Sequence, residues 1–216
     1  MYEIVKRIID IFGSVFLAIV FSPVLLITAI LIRLTSAGPI LVEKTNRHMK
    51  RMGKGGKIFR LYKFRSMVVK ADVLEKVKPE YREAYLEKHS GGSYKPKNDP
   101  RITAVGKFIR KHSIDEMPQL LNVFRGDMSI VGPRPYLPEE LEEQQRKFSG
   151  TGKYVTQMLS VKPGITGFWQ VSGRSEVNFD KRVKMDAFYA QKKSLIFDFL
   201  IMLKTPWMML SGKGAV

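Results

Sequence analysis

The feature that most constrains the fold is an uncharged run of 22 residues, from Ile11 to Ile32. As a helix, this run is long enough to cross a bilayer. Its centre holds Ser22-Pro23, where the proline removes one backbone hydrogen bond and its ring clashes with the preceding turn. We therefore predict a helix that breaks at Ser22 and Pro23, with the Ser22 hydroxyl bonding a carbonyl that Pro23 leaves free.

Basic residues flank this run on both sides: Lys6 and Arg7 precede it, and Arg33 and several further lysines and arginines follow it. Because lysine and arginine near membrane helices stay in the cytoplasm, a helix that enters, bends and returns to the same face satisfies both flanks. An ordinary single span with a proline kink is the alternative. The chain offers at best a weak cleavage site after the run and continues basic, which argues against a secretory signal.

The overall charge indicates an anionic partner. Thirty-seven basic residues against 20 acidic ones give a formal net charge of +17, which favours nucleic acid, anionic lipid headgroups or a phosphorylated substrate. The absence of cysteine excludes disulfides and thiolate sites. The three histidines are scattered along the chain, so carboxylates with Mg²⁺ are a better expectation for a metal than zinc.

Adjacent carboxylates, Asp115 and Glu116, lie between Arg110 and the Gly-Pro-Arg-Pro turn that contains Arg134. Ser113 and Glu116 have the spacing of a capping box, which predicts that Asp115 lies in the first turn of a helix. Backbone N–H groups and the helix dipole favour negative charge there, including a bound phosphate. A carboxylate aimed at a phosphate acts through a cation or attacks it directly, giving an aspartyl phosphate. A plain helix cap followed by a rigid turn is the alternative.

A basic β-hairpin is predicted after the uncharged run. Pro39 to Val42 and Lys57 to Arg65 read as its strands, and the glycines of Met52 to Gly56 make the turn. Lys63 and Arg65 lie on one face of the second strand and are candidates for phosphate contacts. The alternative is a solvated edge strand.

Four further segments read as helices. Ala71 to Lys88 and Pro138 to Phe148 are polar, the second with acidic residues early and basic residues late, as the dipole prefers. Phe179 to Lys192 is amphipathic. Ser194 to Leu210 is largely apolar but contains charges and a proline, which favours a helix at the membrane interface, with a buried core helix as the alternative.

A second turn-rich segment runs from Val161 to Arg174. We expect its glycines to allow close approach of the backbone to a ligand. Phe168 and Trp169 are suited to support a base, a sugar or the membrane interface.

Taken together, these motifs closely resemble the bacterial sugar transferase family, the monotopic polyprenyl-phosphate phosphoglycosyl transferases, in its minimal form. The resemblance runs in order over essentially the whole chain. It rests on five motifs: Ser22-Pro23, the segment Tyr62 to Met67, the central stretch Gly106 to Pro135, the segment Pro163 to Arg174, and the terminal Gly212 to Ala215.

The resemblance implies a fold that is α+β and mostly helical. Residues 1–37 would form a re-entrant membrane helix broken at Ser22-Pro23, and residues 38–216 a small α/β catalytic core with interfacial helices. It also implies a reaction on the cytoplasmic face of the bacterial inner membrane. A sugar 1-phosphate would pass from a UDP-sugar to polyprenyl (undecaprenyl) phosphate with release of UMP, as a first step of exopolysaccharide or lipopolysaccharide assembly.

Carried over by position, the resemblance implies that Asp115 is the nucleophile and Glu116 its partner, with Mg²⁺ as cofactor and Asp115 as the favoured metal ligand. Positive charge must be supplied where two anionic substrates meet an anionic nucleophile. The residues expected to contact substrate are Lys63, Arg65, Arg110, Arg134, Trp169, Gln170 and Arg174. Membrane phospholipid and a homodimer are further expected partners.

Three alternatives remain open at this stage. In the first, the lipid phosphate attacks directly in a ternary complex and Asp115 only holds Mg²⁺. In the second, the chain is a membrane-tethered nucleic-acid binder, which would need no acidic pair and lacks a recognisable reading motif here; we expect no nucleic acid. A non-catalytic membrane scaffold, the third, would tolerate replacement of Asp115 by asparagine.

Overall fold

The computed structural model describes residues 1–43, 49–68, 99, 101–173 and 177–210, with the backbone alone for residues 209 and 210. The predicted helix at residues 71–88, the substrate candidate Arg174 and the terminal motif at residues 212–215 lie outside this part. The described part is mostly helical and contains two small two-stranded sheets. This confirms the expected α+β class.

The uncharged run forms a bent helix pair, α1 (Tyr2–Val20) and α2 (Ser22–Thr35), whose axes differ by 62°. The Ser22 hydroxyl donates to the carbonyl of Ile19 at 2.7 Å. In an unbroken helix that carbonyl would accept from the N–H that Pro23 lacks. The predicted break and the role of Ser22 are therefore confirmed.

Within the described ranges, no single helix is both long and apolar enough to cross a bilayer. The pair α1 and α2 meets the length and composition test only when the two helices are taken together across their bend.

Helix α1 has a polar side that docks on the rest of the protein. Arg7 donates to the carbonyls of Val123 and Phe124 at 2.6 and 2.7 Å. The buried carboxylate of Asp10 accepts from the Ser129 hydroxyl and from a neighbouring backbone N–H, both at 2.9 Å. Beside and beyond these contacts, α1 exposes large apolar side chains, namely Ile4, Ile8, Phe12, Phe16 and Ile19.

The hairpin is present, but its first strand is not the predicted one. Strand β1 (Lys50–Met52) pairs antiparallel with β2 (Ile58–Arg60) across a 3₁₀ turn. Gly55 and Gly56 adopt positive φ angles of 67° and 77°, which lets the chain reverse tightly enough for the adjacent residues to pair. The prediction that residues 39–42 form the first strand is therefore wrong.

Those earlier residues make a separate contact beside the end of α2. Leu41 forms an isolated antiparallel bridge with Phe64. Phe64 is buried together with Ile32 of α2 and Ile109 of helix α3 (Ala104–Lys111). This small core joins the bent helix pair to the segment that carries Lys63 and Arg65.

The central acidic pair lies at the start of a 3₁₀ segment, Ile114–Gln119, which continues into α4 (Leu120–Arg125). Asp115 therefore lies in a first helical turn, as predicted. The predicted capping box is wrong, because Ser113 adopts a left-handed conformation with φ of 56° and its side chain caps nothing. Pro118 within this turn cannot donate a backbone hydrogen bond, which is consistent with a 3₁₀ rather than an α-helical start.

A parallel strand pair follows: β3 (Ser129–Val131) with β4 (Gly164–Thr166), and β4 leads into a short helix, α7 (Phe168–Ser172). A Cβ atom on Gly164 would overlap the backbone nitrogen of Gly132. The glycines of this segment thus allow two backbone strands to approach each other. The expectation that glycines of this segment allow close approach of the backbone to a ligand stays a prediction.

The C-terminal half supplies the main core. Helices α5 (Pro138–Lys147), α6 (Gly152–Met158) and α8 (Phe179–Lys192) pack together, and α5 and α8 agree with the predicted ranges. Their shared core consists of Tyr136, Leu141, Val155, Met158, Phe179 and Val183.

The last helix, α9 (Leu195–Leu210), is tied to α1 by a buried polar network. The carboxylate of Asp198 accepts from Lys6 at 2.7 Å, from the Tyr2 hydroxyl at 2.9 Å and from the Tyr189 hydroxyl at 2.6 Å. The charge that interrupts this apolar helix is therefore an anchor to α1. The outer side of α9 exposes Ile196, Phe199, Leu203 and Trp207.

Candidate active site

Asp115 and Glu116 meet Lys63 at the start of the 3₁₀ segment. The ammonium of Lys63 lies 2.8 Å from Oδ2 of Asp115 and 3.3 Å from Oε1 of Glu116. The Asp115 side chain is 4% exposed and the Glu116 side chain 43% exposed. The two adjacent carboxylates thus have different environments, one enclosed and one open to solvent.

The backbone fixes Lys63 against the acidic pair. The N–H of Phe64, the next residue, donates to the carbonyl of Asp115 at 2.9 Å. The fully buried Asn122 accepts from the N–H of Tyr62 at 2.9 Å and donates to the carbonyl of Arg60 at 2.8 Å. Segment 60–64 is therefore held at several points to the helical turn that carries Asp115.

The neighbouring carboxylates favour the charged form of the Lys63 side chain. Burial acts to lower the pKa of Lys63, but the charges of Asp115 and Glu116 and the hydrogen bond to Asp115 outweigh it and raise that pKa above its ordinary value. The charge of Arg110 opposes this effect, which places Arg110 within electrostatic reach of the same ammonium. The structure therefore brings Lys63 into contact with Asp115 and Glu116, and the charge of Arg110 acts on the same ammonium.

The acidic pair fits a metal that is shared with a substrate. Among the described residues, no group of three or more acidic or histidine side chains could enclose an ion. Mg²⁺ is commonly held by one or two carboxylates together with substrate phosphates. Asp115 and Glu116 supply a donor set of that kind.

A second polar cluster surrounds Arg134. The ring of Trp169 lies near two guanidinium groups, with the central carbon of the Arg182 group 4.7 Å from the ring centroid and that of the Arg134 group 5.7 Å away. The backbone N–H of Arg134 donates to Oδ2 of the fully buried Asp186 at 3.2 Å. Trp169 and Arg134, both predicted site residues, thus share one environment.

Several buried polar atoms in this cluster have no hydrogen-bond partner among the described residues: the Tyr136 hydroxyl, Nε1 of Trp169 and Oδ1 of Asp186. Burial raises the pKa of Asp186 to about 8, against the opposing effects of the Arg134 N–H and the Arg182 and Arg134 charges. Buried polar atoms in folded proteins are nearly always partnered. Three such atoms together indicate a place where a ligand or water supplies the missing bonds.

The remaining predicted contacts lie elsewhere. Arg65 is buried, and its Nη2 donates to the carbonyls of Ile32 and Ser36 at 3.2 and 2.6 Å, at the end of α2. Lys63, two residues earlier in the sequence, contacts the acidic pair, so the two cations of this segment have different surroundings. Gln170 donates to the carbonyl of Ile165 at 3.0 Å, next to Trp169.

The family model described as bacterial sugar transferase matches residues 1–212. The chain belongs to the bacterial sugar transferase family. This confirms the resemblance on which the sequence-based roles of Asp115 and Glu116 rest.

Three relatives illustrate the range of this sugar transferase family. The undecaprenyl-phosphate galactose phosphotransferase of Salmonella typhimurium is 42% identical, over 97% of this chain and 41% of its own length. The exopolysaccharide production protein ExoY of Rhizobium meliloti is 38% identical, over 93% and 83%. The UDP-N-acetylgalactosamine-undecaprenyl-phosphate N-acetylgalactosaminephosphotransferase of Aeromonas hydrophila is 38% identical, over 100% and 46%. The chain spans about two fifths of the length of the Salmonella relative.

Sequence reasoning missed several residues that build this candidate site. Asn122 reads as an ordinary polar position of a short helix, yet it holds the strand next to Lys63. Arg182 lies in a helix that is amphipathic by pattern, and only the packing of α8 on α7 brings it to Trp169. Asp186 lies within the same amphipathic helix, and its complete burial depends on long-range packing.

Proposed function

We propose that this member of the family transfers a sugar 1-phosphate from a UDP-sugar to polyprenyl phosphate, through a covalent intermediate on Asp115. The names of the Salmonella and Aeromonas relatives, with galactose and N-acetylgalactosamine as the sugars, support this reaction class. The observation that carries the assignment is the buried carboxylate of Asp115, held by Lys63 beside the open carboxylate of Glu116.

The proposed reaction has two displacement steps at one phosphorus atom. A carboxylate oxygen of Asp115 attacks the phosphorus that bears the sugar, the bond from that phosphorus to the UMP oxygen breaks, and UMP leaves. An oxygen of polyprenyl phosphate then attacks the same phosphorus and releases the Asp115 carboxylate. Each step exchanges one phosphorus–oxygen bond for another, so one site serves the two substrates in turn.

The surroundings of Asp115 suit a reactive acyl phosphate. Its burial keeps water away from the intermediate, which limits hydrolysis before the lipid arrives. Lys63, and Arg110 near it, supply fixed positive charge where three anionic groups must meet. Glu116, which is open to solvent, is suited to organise the incoming phosphate or accept a proton.

Mg²⁺ is part of this proposal. Asp115, with Glu116 beside it, would hold the ion together with the diphosphate of the donor, and the ion would neutralise charge on that diphosphate. The contacts of Lys63 with both carboxylates provide part of the same neutralisation within the protein itself.

The cluster around Arg134 is proposed to bind the nucleotide part of the donor. Below about pH 8 the Asp186 carboxyl carries a proton, so Asp186, Tyr136 and Trp169 all present donors. Such a set suits the carbonyl oxygens of a base or the oxygens of a phosphate. Arg134 and Arg182 add charge, and Gln170 lies beside Trp169. Arg65, at the end of α2, is also proposed to contact the substrate. Arg174 stays a predicted substrate contact.

We also propose that α1 and α2 form a re-entrant membrane segment, with residues 1–37 in or at the membrane and residues 38–216 on its cytoplasmic face. Two observations support this. Both α1 and α9 expose apolar side chains, and Asp198 of α9 is paired with Lys6 of α1, so the two helices are held side by side. The bacterial inner membrane is the proposed location. Exopolysaccharide assembly is the favoured pathway, as for ExoY by its name; a lipopolysaccharide role and a homodimer stay predictions.

The test is reconstitution with undecaprenyl phosphate, Mg²⁺ and either UDP-galactose or UDP-N-acetylgalactosamine, with UMP and the lipid product measured. We expect continuous UMP release only with the lipid, because without it each enzyme molecule can release at most one UMP, and a polyprenyl-diphosphate sugar in the organic phase. Asp115→Asn should abolish both products. Asp180→Asn, which removes a carboxylate from the outer side of α8, is the matched control and should retain activity.

Full activity of Asp115→Asn would show that Asp115 is not the nucleophile. Lipid-dependent UMP release without any covalent adduct would instead favour the ternary complex.

A further inference from the structure

A cleft rich in charged side chains lies between α1, β3 and the segment that precedes β4. Among the residues that line it are Arg7, Lys162, Lys6, Glu3 and Asp10. The proposed transfer reaction does not use any of these residues.

Two cations converge in this cleft on the same small residue. If Gly126 carried a Cβ atom, that atom would lie 3.3 Å from Nη2 of Arg7 and 3.4 Å from Nζ of Lys162. Gly126 ends α4 with a φ of 90°, so its lack of a side chain both permits the turn and leaves room for the two cations. Burial lowers the pKa of Lys162, and the nearby charge of Arg7 lowers it further.

The carboxylates of the cleft have partners of their own and do not contact Lys162, although the charges of Asp10 and Glu3 partly offset the effect of Arg7 on its pKa. Glu3 is paired with Lys193 at 2.5 Å, and Asp10 accepts from Ser129 and the neighbouring backbone. Lys162 itself makes no hydrogen bond or ion pair with another described residue. A partly buried ammonium beside an arginine, with no anion in contact, is a site that lacks its counter-ion.

Apolar surface borders the two cations. Arg7 lies along α1 between Ile4 and Ile8, which are 69% and 49% exposed. Phe124, whose carbonyl accepts from Arg7, is 50% exposed. A ligand bound here would therefore meet positive charge on one side and apolar side chains on the other, as a phospholipid does at the edge of the acyl region.

We propose that Arg7 and Lys162 form a binding site for the phosphate of an anionic phospholipid headgroup, of the phosphatidylglycerol class. The headgroup phosphate accepts from Lys162 and from the outer N–H groups of Arg7, and the acyl chains lie along Ile4, Ile8 and Phe124. The lipid thereby completes the contact between α1 and α4. This site rests on the proposed membrane seating of α1 but not on the transfer reaction.

The experiment compares the full chain with Lys162→Gln and with Lys181→Gln, which removes an exposed lysine of α8 with the same loss of charge. Arg7 is left intact because it also holds the end of α4. Each protein is placed in nanodiscs made of equal parts of phosphatidylcholine and phosphatidylglycerol. Native mass spectrometry then counts the lipids retained after release, and vesicle flotation gives the affinity.

We expect the wild type and Lys181→Gln to retain one phosphatidylglycerol, and Lys162→Gln to lose it. Removal of one basic residue from an anionic membrane contact should weaken vesicle binding about fivefold, and Lys162→Arg should restore it. Binding to pure phosphatidylcholine vesicles should be the same for all variants, which shows that Lys162→Gln is folded.

Four results would overturn the site. In the first, Lys162→Gln retains as much phosphatidylglycerol as the wild type; in the second, Lys181→Gln loses as much of it as Lys162→Gln. In the third, inorganic phosphate alone removes the difference in vesicle binding between the wild type and Lys162→Gln. In the fourth, only polyprenyl phosphate displaces the bound lipid. The last would assign the cleft to the acceptor substrate. A wild-type protein that floats with neither vesicle would refute the membrane seating itself, whereas loss of transfer activity alone would leave the headgroup site standing.

Discussion

Replacement of Lys63 by methionine is the perturbation whose effect can be worked out most fully. Methionine keeps much of the length of the side chain but removes its charge and its hydrogen bonds. The ammonium contacts Asp115 at 2.8 Å and Glu116 at 3.3 Å, and the three side chains are 22%, 4% and 43% exposed in that order. The two contacts therefore contribute differently to the free energy of unfolding.

The larger loss comes from Asp115, because it is almost completely buried. Removing one partner of a buried ion pair typically costs about 3–5 kcal/mol, and the partial exposure of Lys63 favours the lower end. The exposed contact with Glu116 contributes about 0–1 kcal/mol. We expect Lys63→Met to lower the free energy of unfolding by about 3 kcal/mol, which for a chain of this size lowers the melting temperature by roughly 6–12 °C.

The assay is a double-mutant cycle of thermal unfolding in one detergent, with wild type, Lys63→Met, Asp115→Asn and the double variant. Asparagine removes the buried charge that Lys63→Met leaves unpaired. The free energy of unfolding that the double variant loses should therefore be smaller than the sum of the two single losses, by at least about 1 kcal/mol. Lys57→Met, at an exposed lysine of the hairpin turn, is the matched control and should change stability by less than about 0.5 kcal/mol.

A loss below about 1 kcal/mol for Lys63→Met would refute the view that a buried carboxylate depends on this lysine. Strict additivity in the cycle would refute it equally, even if each single variant were unstable. Activity gives an independent reading, because Lys63→Met should lose transfer activity whether or not the double variant regains stability.

Three further predictions concern other parts of the molecule. The raised pKa of Asp186 means that the folded state holds its proton more tightly, so stability should fall as pH rises from 3.8 to about 8. Asp186→Asn should flatten that slope in pH-dependent unfolding, and an unchanged slope would contradict the assignment. Gly106→Ala should prevent folding or strongly destabilise the protein, because the added Cβ would overlap the Ser66 carbonyl. Gly152→Ala, in open surroundings, should be tolerated. Thermal unfolding checks both variants. Ser22→Ala should cost about 1 kcal/mol by removing the bond at the helix break, measured as a lower melting temperature, and no loss would mean that this bond does not stabilise the bend.

The elements that the sequence predicts well are those set by local chemistry. Proline at residue 23 breaks the helix whatever surrounds it, and the neighbouring serine finds the carbonyl that is left free. The helix Phe179–Lys192 follows from a repeating apolar pattern. Asp115 lies in a first helical turn because a helix-forming run follows it.

The errors and omissions arise where distant segments decide. Strand β1 lies immediately before the glycine turn, but the more apolar residues 39–42 read as the better strand by composition. The predicted cap at Ser113 failed because that residue adopts a left-handed conformation, while Thr103 caps α3 through an ordinary side-chain bond to Gly106. The pairing of β3 with β4 and the burial of Asp186 depend on contacts that no local pattern reveals.

The acidic pair could be found from the sequence, but its environment could not. Lys63 was one of two cations on a predicted strand face, and the sequence gives no reason to separate it from Arg65. The structure separates them, with Lys63 at the acidic pair and Arg65 at the end of α2. The cause is the antiparallel bridge at Phe64, which lies between the two residues and packs into the small core under α2.

The most direct measurement is intact-protein mass spectrometry of the detergent-solubilised enzyme with Mg²⁺ and a panel of UDP-sugars, without a lipid acceptor. The account predicts a mass gain equal to one sugar phosphate, absent in Asp115→Asn and lost when polyprenyl phosphate is added. The donor that gives the adduct would also identify the sugar. If the enzyme releases UMP only when the lipid is present and never carries the adduct, Asp115 is not a covalent nucleophile and the central claim is contradicted.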